Sequence, residues 1–471
     1  MASNVAPETE LRWGSPAARW VIAATVGGSS LAMLDSTTVN VALPAMGLDL
    51  GARVRDLQWV LNGYTLALAS LMLLAGSLAD RFGRRRIFTL GIVWFTVASL
   101  LCAVAPTPLL LIVARVLQGI GGALLTPGSL AILQATFATA DRARAVGAWA
   151  GLGAIAGAVG PMVGGWLVAT LGWRSIFWTN VPIAVAVLWI TFRHVPEHRS
   201  GNPAARFDLR GAALATCGLG AVTWALITGG ADGASSAVII SALLGASALA
   251  LFIVIERHAD APLVPLSMFR SRQFSAINVV TFVVYGGMAI VFFLLMVQLQ
   301  VVVGVSPFVA GTALLPVTVL MFTLSARMGA LAHRIGPRRP LVIGPLIMAG
   351  ALVGIARIDQ SASLATDVFI PVTTFGVGLT IMVAPLTSSV LEAAGTHRSG
   401  IASAINNAVA RTAGLLTVAA VPGLVGLTGD SFAHPARVSD GFTAAMYVAA
   451  AMVAVGACVA LGFVRDGRAD A

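Results

Sequence analysis

A hydrophilic hinge of thirteen residues, Gly76–Phe88 (GSLADRFGRRRIF), separates two long apolar runs, and nearly the same pattern returns at Gly329–Leu341 (GALAHRIGPRRPL). Glycine, leucine, alanine, arginine, glycine and a pair of arginines recur in register at an offset of 253 residues. An internal repeat constrains architecture more than any local pattern does, because each copy must build the same unit. Apolar runs of eighteen or more residues surround both hinges and recur from one end of the chain to the other. Each is long enough to cross the hydrocarbon core of a bilayer as a helix. Charged residues make up only 10% of the chain, against about 25% in a soluble domain, and mean hydropathy is +0.91.

The pattern predicts an all-α membrane protein with fourteen transmembrane helices, at about 19–45, 56–78, 87–105, 108–132, 144–169, 174–193, 209–229, 236–256, 273–300, 307–331, 340–357, 366–388, 400–427 and 441–464. Adding the repeat offset to Trp20, near the start of helix 1, gives Gln273, near the start of helix 9. Helices 1–6 and 9–14 are therefore expected to form two equivalent six-helix bundles in the same orientation, with helices 7 and 8 inserted between them. The expected division is a first bundle at 1–193, a linker with the inserted pair at 194–272, and a second bundle at 273–471. The stretch HVPEHRSGNPAARFD, rich in polar residues, Gly and Pro, reads as the linker. Parallel halves of this kind are a transporter plan, with substrate near the midplane and rocking that alternates access.

Net charge is +10, and all 29 basic residues are arginine. In a soluble chain such basicity would raise the question of nucleic acid. Here the arginines sit in short loops, and only Arg53, Arg55, Arg174, Arg357 and Arg437 fall on the side opposite the termini. The positive-inside rule then places both termini in the cytoplasm of a multi-pass protein of the cytoplasmic (inner) membrane. The expected partners are the lipid bilayer, a small-molecule substrate and protons, with no nucleic acid and a monomeric chain. The first twenty residues lack an apolar core with a cleavage site, so no cleaved signal peptide is expected. Cys102, Cys217 and Cys458 lie inside apolar runs and read as packing residues. No metal-ligand spacing, phosphate-binding GxxxxGK[ST] loop or Ser/His/Asp constellation occurs in the spans, so no metal, cofactor, ATP or enzymatic chemistry is expected.

Helix 1 carries the most informative single residue. Asp35, in LAMLDSTTVNVALP, lies well inside an apolar run, and an intramembrane carboxylate costs several kcal/mol unless paired, hydrated or protonated. Glu256 and Glu392 fall at helix ends and read as interfacial. Helix 4 offers a partner in Arg115, with Gln118, Gly119 and Gly122 on the same face. Asp35 and Arg115 both lie roughly 10–12 Å below the same membrane edge, at about 1.5 Å per residue. A direct or water-mediated interaction is therefore expected, and breaking it during transport would load or release a proton.

Helix 5, GLGAIAGAVGPMVGGW, offers close-packing faces at Gly160, Gly164 and Gly165 and a bend at Pro161. Asn406, Asn407 and Arg411 place polar groups at membrane depth in helix 13. There Arg411 reads equally as a structural carbonyl binder and as a cavity residue. Asn40, Asn62, Tyr64, Gln118, Asn278 and Tyr285 complete the candidate substrate cavity. In the first hinge, Gly76, Asp80, Arg81, Gly83, Arg84 and Arg85 read as a conformational latch, with the carboxylate exchanging between arginines and helix N-termini. His333 stands where the second copy would need that aspartate, so the full carboxylate latch is expected in the first hinge alone.

With these residues in place, the chain resembles a major facilitator superfamily transporter of the fourteen-span drug:proton antiporter type. Gly76–Phe88 matches the family's GxLaDrxGrkxxl motif, and LDSTTVNVALP matches the helix 1 motif of the fourteen-span branch. Arg115, Gln118, Gly119, Gly121 and Ala123 match the helix 4 motif, whose arginine is implicated in proton coupling. GPMVGG matches the helix 5 antiporter motif, with Ala156 in place of its first glycine, and Asn407 with Arg411–Gly414 resembles the helix 13 pattern. The resemblance implies proton-coupled export of a small amphipathic compound, a drug, dye or secondary metabolite. Asp35 is the one carboxylate deep in a span, whereas several multidrug members carry more, so neutral or anionic amphiphiles stay open beside cations. Export of an envelope lipid or siderophore is the alternative within transport, and a non-transporting sensor or scaffold is the alternative outside it.

The orientation is open to a direct check. Alkaline phosphatase fused after Gly51 or Gly304 is expected to be active and fused after Gly201 inactive. Reversed activities would overturn the placement of the termini.

Overall fold

The computed structural model describes residues 10–198, 208–259, 262–395 and 399–466. Most of the linker, residues 199–207, lies outside that set, as does the side chain of His333. Among the described residues there is no β-strand, only an isolated bridge between Leu11 and Phe137.

Fourteen helices are long and apolar enough to cross a membrane. In the first half they are α1 (Pro16–Leu50), α2 (Val54–Phe82), α3 (Arg84–Ala103), α4 (Pro108–Thr136), α5 (Thr139–Leu171) and α6 (Ser175–His194). The inserted pair is α7 (Leu209–Asp232) and α8 (Ser236–His258). The second half holds α9 (Arg272–Val302), α10 (Pro307–Ala332), α11 (Arg338–Ile355), α12 (Leu364–Ala394), α13 (Ser399–Leu424) and α14 (Pro435–Phe463). Local chemistry sets the ends. Ser15 and Thr107 each accept a first-turn N–H just before a proline, and Gly51 closes α1 with φ +60°. Several helices run longer than the apolar pattern alone suggests. Pro44 sits inside α1, and the helix continues beyond it to Leu50.

The two halves repeat each other's packing. In the first, α1 packs on α5 and α6, α2 on α4, and α3 on α4 and α6; in the second, α9 packs on α13 and α14, α10 on α12, and α11 on α12 and α14. This is the equivalence that the hinge repeat announces. The inserted α7 touches α2 of one half and α13 of the other, while α8 packs mainly on α7. The pair is thus attached along the seam between the halves. Glu256 lies in the last turn of α8, the helix end at which it was expected. It is buried and accepts from the Val264 N–H at 3.0 Å, because the segment after α8 folds back over it.

The halves are stitched together toward the face opposite the termini. Gln58 of α2 donates to Val418 O and Ala419 O of α13 at 2.7 and 3.1 Å, and Gln300 of α9 donates to Val41 O of α1 at 3.0 Å. There α5 and α10 meet backbone to backbone. A Cβ on Gly165 would lie 2.3 Å from Pro307 O, and one on Gly311 would lie 2.1 Å from Pro161 O. Toward the terminal face the same helix loosens, and a Cβ on Gly147 or Gly151 would meet nothing. A small cleft lined by Tyr285, Thr387, Ser403, Asn406 and Asn407 lies between elements of the second half in that looser region.

The seam predicts a conformational mutant. In a chain with Cys217 and Cys458 replaced by alanine, Val41→Cys should resist a bulky maleimide, and adding Gly311→Leu should make it reactive. Unchanged protection would show that the α5–α10 contact does not hold this face shut.

Candidate functional site

Four helices of the first half converge on one buried ion pair. Asp35 of α1 is 2% exposed and Arg115 of α4 is 1% exposed. Arg115 Nη1 donates to Asp35 Oδ2 at 2.5 Å and to Gln118 Oε1 at 2.6 Å. Gln118 Nε2 donates to Asp35 Oδ1 at 2.9 Å, closing a ring of three side chains. Arg115 Nε donates to Val60 O of α2 at 3.1 Å, and its guanidinium lies 4.3 Å from the Tyr64 ring centroid. Tyr64 OH reaches back to Ala32 O at 3.4 Å. Asn180 of α6 approaches Asp35 Oδ1 at 3.5 Å while donating to Ser99 Oγ of α3 at 2.9 Å. A buried charge is tolerated only when its partners are in place, and the two Asp35 oxygens here face three donors.

The expected Asp35–Arg115 contact is therefore direct. Gln118 and Tyr64, grouped with the cavity in the sequence, sit on the pair itself. Cys102 packs as expected, and its thiol also reaches Gln118 Oε1 at 3.6 Å. Asn180 and Ser99 were not anticipated. The signal for Asn180 was an amide inside an apolar helix, just after the interruption of α6 at Thr179.

The helix 5 glycines join this centre to the seam. A Cβ on Gly160 would lie 2.0 Å from Thr37 Oγ1, and one on Gly164 would lie 2.9 Å from Thr38 Cβ. Both threonines follow Asp35 on α1. Gly165, one residue on, faces α10. Pro161 lies within α5 and leaves the helix continuous.

The second half presents a different set of polar groups. Asn406 of α13 donates to Asn278 Oδ1 at 3.1 Å and to Thr281 Oγ1 at 2.7 Å, tying α13 to α9. Tyr285 and Asn407 line the cleft, with Asn407 donating only to Ser403 O of its own helix. Asn40 likewise bonds its own helix, at Ser36 O. Asn62 is buried with its Nδ2 unpartnered, and Arg411 has its buried Nε unpartnered.

At the first hinge, Asp80 Oδ1 accepts from Arg84 Nε and Nη2 at 3.1 and 3.0 Å, while Arg84 Nη1 reaches Ala131 O of α4 at 2.8 Å. Gly83 has φ +107°, a backbone open mainly to glycine. Gly76 faces open space, and Arg81 lies over the Phe82 ring. A carboxylate that the motif did not reveal completes this hinge. Glu197, just past α6, accepts from the Arg85 N–H at 3.1 Å, and Arg85 Nη1 donates to Val195 O. The second hinge has a counterpart of Glu197 but none of the Asp80–Arg84 pair, since His333 and Pro337 stand at those two places. Asp466, just past α14, accepts from the Arg338 N–H at 3.0 Å over Gly336, whose φ is +83°. Each carboxylate arrives from the sixth helix of its half to meet a positive helix N-terminus, so the motif itself need not contain it.

The family model described as "Major Facilitator Superfamily" matches residues 25–419. The "Tetracenomycin C resistance and export protein" of Streptomyces glaucescens is 34% identical over 412 residues, covering 86% of this chain and 76% of the relative. The "Multidrug resistance protein Stp" of Mycobacterium tuberculosis (strain CDC 1551 / Oshkosh) is 36% identical over 393 residues, covering 82% and 72%. The "Methylenomycin A resistance protein" of Bacillus subtilis (strain 168) is 35% identical over 406 residues, covering 84% and 85%. Among solved structures, the bacterial homolog of the human lysosomal transporter Spinster, inward-facing and unoccupied, aligns with a TM-score of 0.68 at 16% identity, covering 95% of this chain and 97% of that one. The inward-open xylose transporter XylE from E. coli aligns with a TM-score of 0.62 at 15% identity, covering 96% and 97%. At these identities the structural likeness speaks for the fold.

Removing one member of the buried pair strands the other. Arg115→Met alone should cost about 3–5 kcal/mol of stability, whereas Asp35→Leu together with Arg115→Met should recover much of it. Thermal melting of the purified proteins checks this, and additive losses in the double variant would deny the coupling.

Proposed function

The chain belongs to the Major Facilitator Superfamily, and from that premise we propose that it exports small amphipathic compounds (drugs, dyes or secondary metabolites) across the cytoplasmic membrane in exchange for protons. It is a multi-pass membrane transporter and not an enzyme. The named relatives are resistance and export proteins, which supports export as the direction of transport.

The buried Asp35–Arg115 pair is the observation that carries proton coupling. Protonating Asp35 removes the charge that balances Arg115 inside the first half. Breaking such a pair is worth about 3–5 kcal/mol, and moving a two-state equilibrium from 1:99 to 99:1 takes about 5.5 kcal/mol. One proton on Asp35 is therefore of the right size to bias the rocking of the halves. A path for it is present in the packing. Thr37 and Thr38 follow Asp35 on α1 and touch Gly160 and Gly164, and α5 forms the seam with α10 through Gly165.

In this reading both termini are cytoplasmic, the seam of α2–α13 and α5–α10 is the outer gate, and the chain works as a monomer. Residues 1–193 and 273–471 move as the two bundles, with 194–272 carried between them. Substrate sits in the space at the cleft of Tyr285, Asn406 and Asn407, with Asn278, Arg411, Asn62 and Asn40 around it, while Gln118 and Tyr64 belong to the ion pair beside it. The two hinges, with Asp80, Glu197 and Asp466, hold the inner ends of the bundles in alternative packings.

The test uses purified protein in liposomes with a pH-sensitive dye inside, an imposed proton gradient and a panel of antibiotics and dyes. Substrate-triggered proton flux is expected in the wild type, with a drop of at least about 1.4 kcal/mol equivalent, or tenfold, in Asp35→Asn. Substrate movement without proton flux in either protein would replace antiport by facilitated diffusion.

A further inference from the structure

Arg411 is a charge with nothing to answer it. It lies twelve residues into α13, about 18 Å along the helix and so near the middle of the bilayer. Its Nε is buried without an acceptor, and among the described residues it makes no hydrogen bond and no ion pair. The role of a carbonyl binder, open in the sequence, is unfilled in this conformation. The carboxylate at comparable depth, Asp35, already faces Arg115 and Gln118. The described carboxylates of the neighbouring helices lie near helix ends, at Asp80 of α2 and Glu392 of α12.

A second donor without an acceptor lies on the facing helix. Asn62 of α2 is 2% exposed, and its Nδ2 has no partner. The register is set by Gln58, which bonds Val418 O and Ala419 O. Because α2 and α13 run in opposite directions, one turn further along α2 brings Asn62 opposite the turn that follows Arg411. The Tyr64 ring, two residues after Asn62 on α2, packs on Arg115. Asn407, one turn before Arg411, opens into the cleft with Tyr285. The region thus offers two orphan donors, one of them on a positive charge that no described residue compensates, one helical turn from a cleft that Tyr285 lines. A cation placed there would meet like charge in a medium of low dielectric, whereas an anionic oxygen would satisfy both orphan donors.

We propose that Arg411 anchors an anionic oxygen of the transported compound, a carboxylate or phenolate on an aromatic amphiphile, with Asn62 as the second donor across the seam. This rests on the export reading and narrows its substrate class. Arg411 is the specificity-determining group, and Asp35–Arg115 is left to the proton.

The probes are rhodamine B, which carries a carboxylate, and its ethyl ester, which differs by losing that charge. Binding to the purified transporter in detergent is followed by fluorescence anisotropy for the wild type, Arg411→Gln and Arg411→Lys. The wild type should bind the carboxylate dye at least about tenfold more tightly than the ester, the scale of one charge-assisted hydrogen bond. Arg411→Gln should erase the preference by weakening the carboxylate dye while leaving the ester, which keeps the xanthylium cation common to both dyes, no weaker than in the wild type, and Arg411→Lys should keep part of the preference. Equal binding of the two dyes by the wild type, no binding of either, or equal weakening of both in Arg411→Gln would overturn the assignment. Transport in liposomes separates the two readings. If the ester is exported with proton flux and no carboxylate preference appears, export stands and the anion site falls. If the carboxylate dye binds through Arg411 but neither dye crosses, the anion site stands and export falls.

Discussion

Two opposite charges face each other at 2.5 Å inside the first half, and they do so where water cannot solvate either one. In a medium of low dielectric such a pair is tolerable only when its remaining hydrogen-bonding capacity is met. That requirement organises the bundle. Asp35 must come from α1, Arg115 and Gln118 from α4, the Val60 carbonyl and the Tyr64 ring from α2, and Asn180 from α6 braced by Ser99 of α3. Five helices are thereby held around one carboxylate. Under the proposed antiport this carboxylate is the switch, and all five helices border it.

Small residues then connect the switch to the seam. Helix α5 lies against the side chains of Thr37 and Thr38 on α1 and directly against the backbone of α10 at Pro307. Close approach of this kind depends on van der Waals contact and leaves little room for compressible slack. The opposite end of α5, near Gly147 and Gly151, has open space beside it. The same helix is therefore tight where the halves are joined and free where they part. The hinges complete the mechanics at the terminal face. In both, a glycine with positive φ exposes the first N–H groups of the next helix, and a carboxylate from the end of that half's sixth helix accepts from them.

Much of this was legible in the chain. The hinge repeat and the run lengths were enough for the fourteen spans and the two equivalent bundles, because a bilayer admits few solutions for a backbone that must satisfy its own hydrogen bonds. The Asp35–Arg115 contact was legible too, since two opposite charges at matched depth in neighbouring apolar helices have few other ways to be satisfied. Partners that are ordinary polar residues were harder to see. Asn180, Ser99, Glu197 and Asp466 carry no motif of their own. The last two lie beyond helix ends, where a carboxylate normally means nothing more than solvent exposure. The second hinge therefore holds a carboxylate that the repeat does not reveal. His333 occupies the place of the aspartate within the repeat, but Asp466 arrives from the far end of the half.

Hydropathy and the offset by themselves determined that this chain is a membrane protein of two similar halves with an inserted pair, because both follow from chain length against bilayer thickness. The order and depth of its charged residues followed from the same one-dimensional information. Only the tertiary structure decided which polar groups share a site. It placed Gln118 and Tyr64 on the ion pair instead of in the open cleft, and seated α7 against both α2 and α13. It also left Arg411 and Asn62 without acceptors. Depth along a helix is written in the sequence, but the rotation of each helix about its axis is set by how its neighbours pack, and that rotation determines which side chains meet.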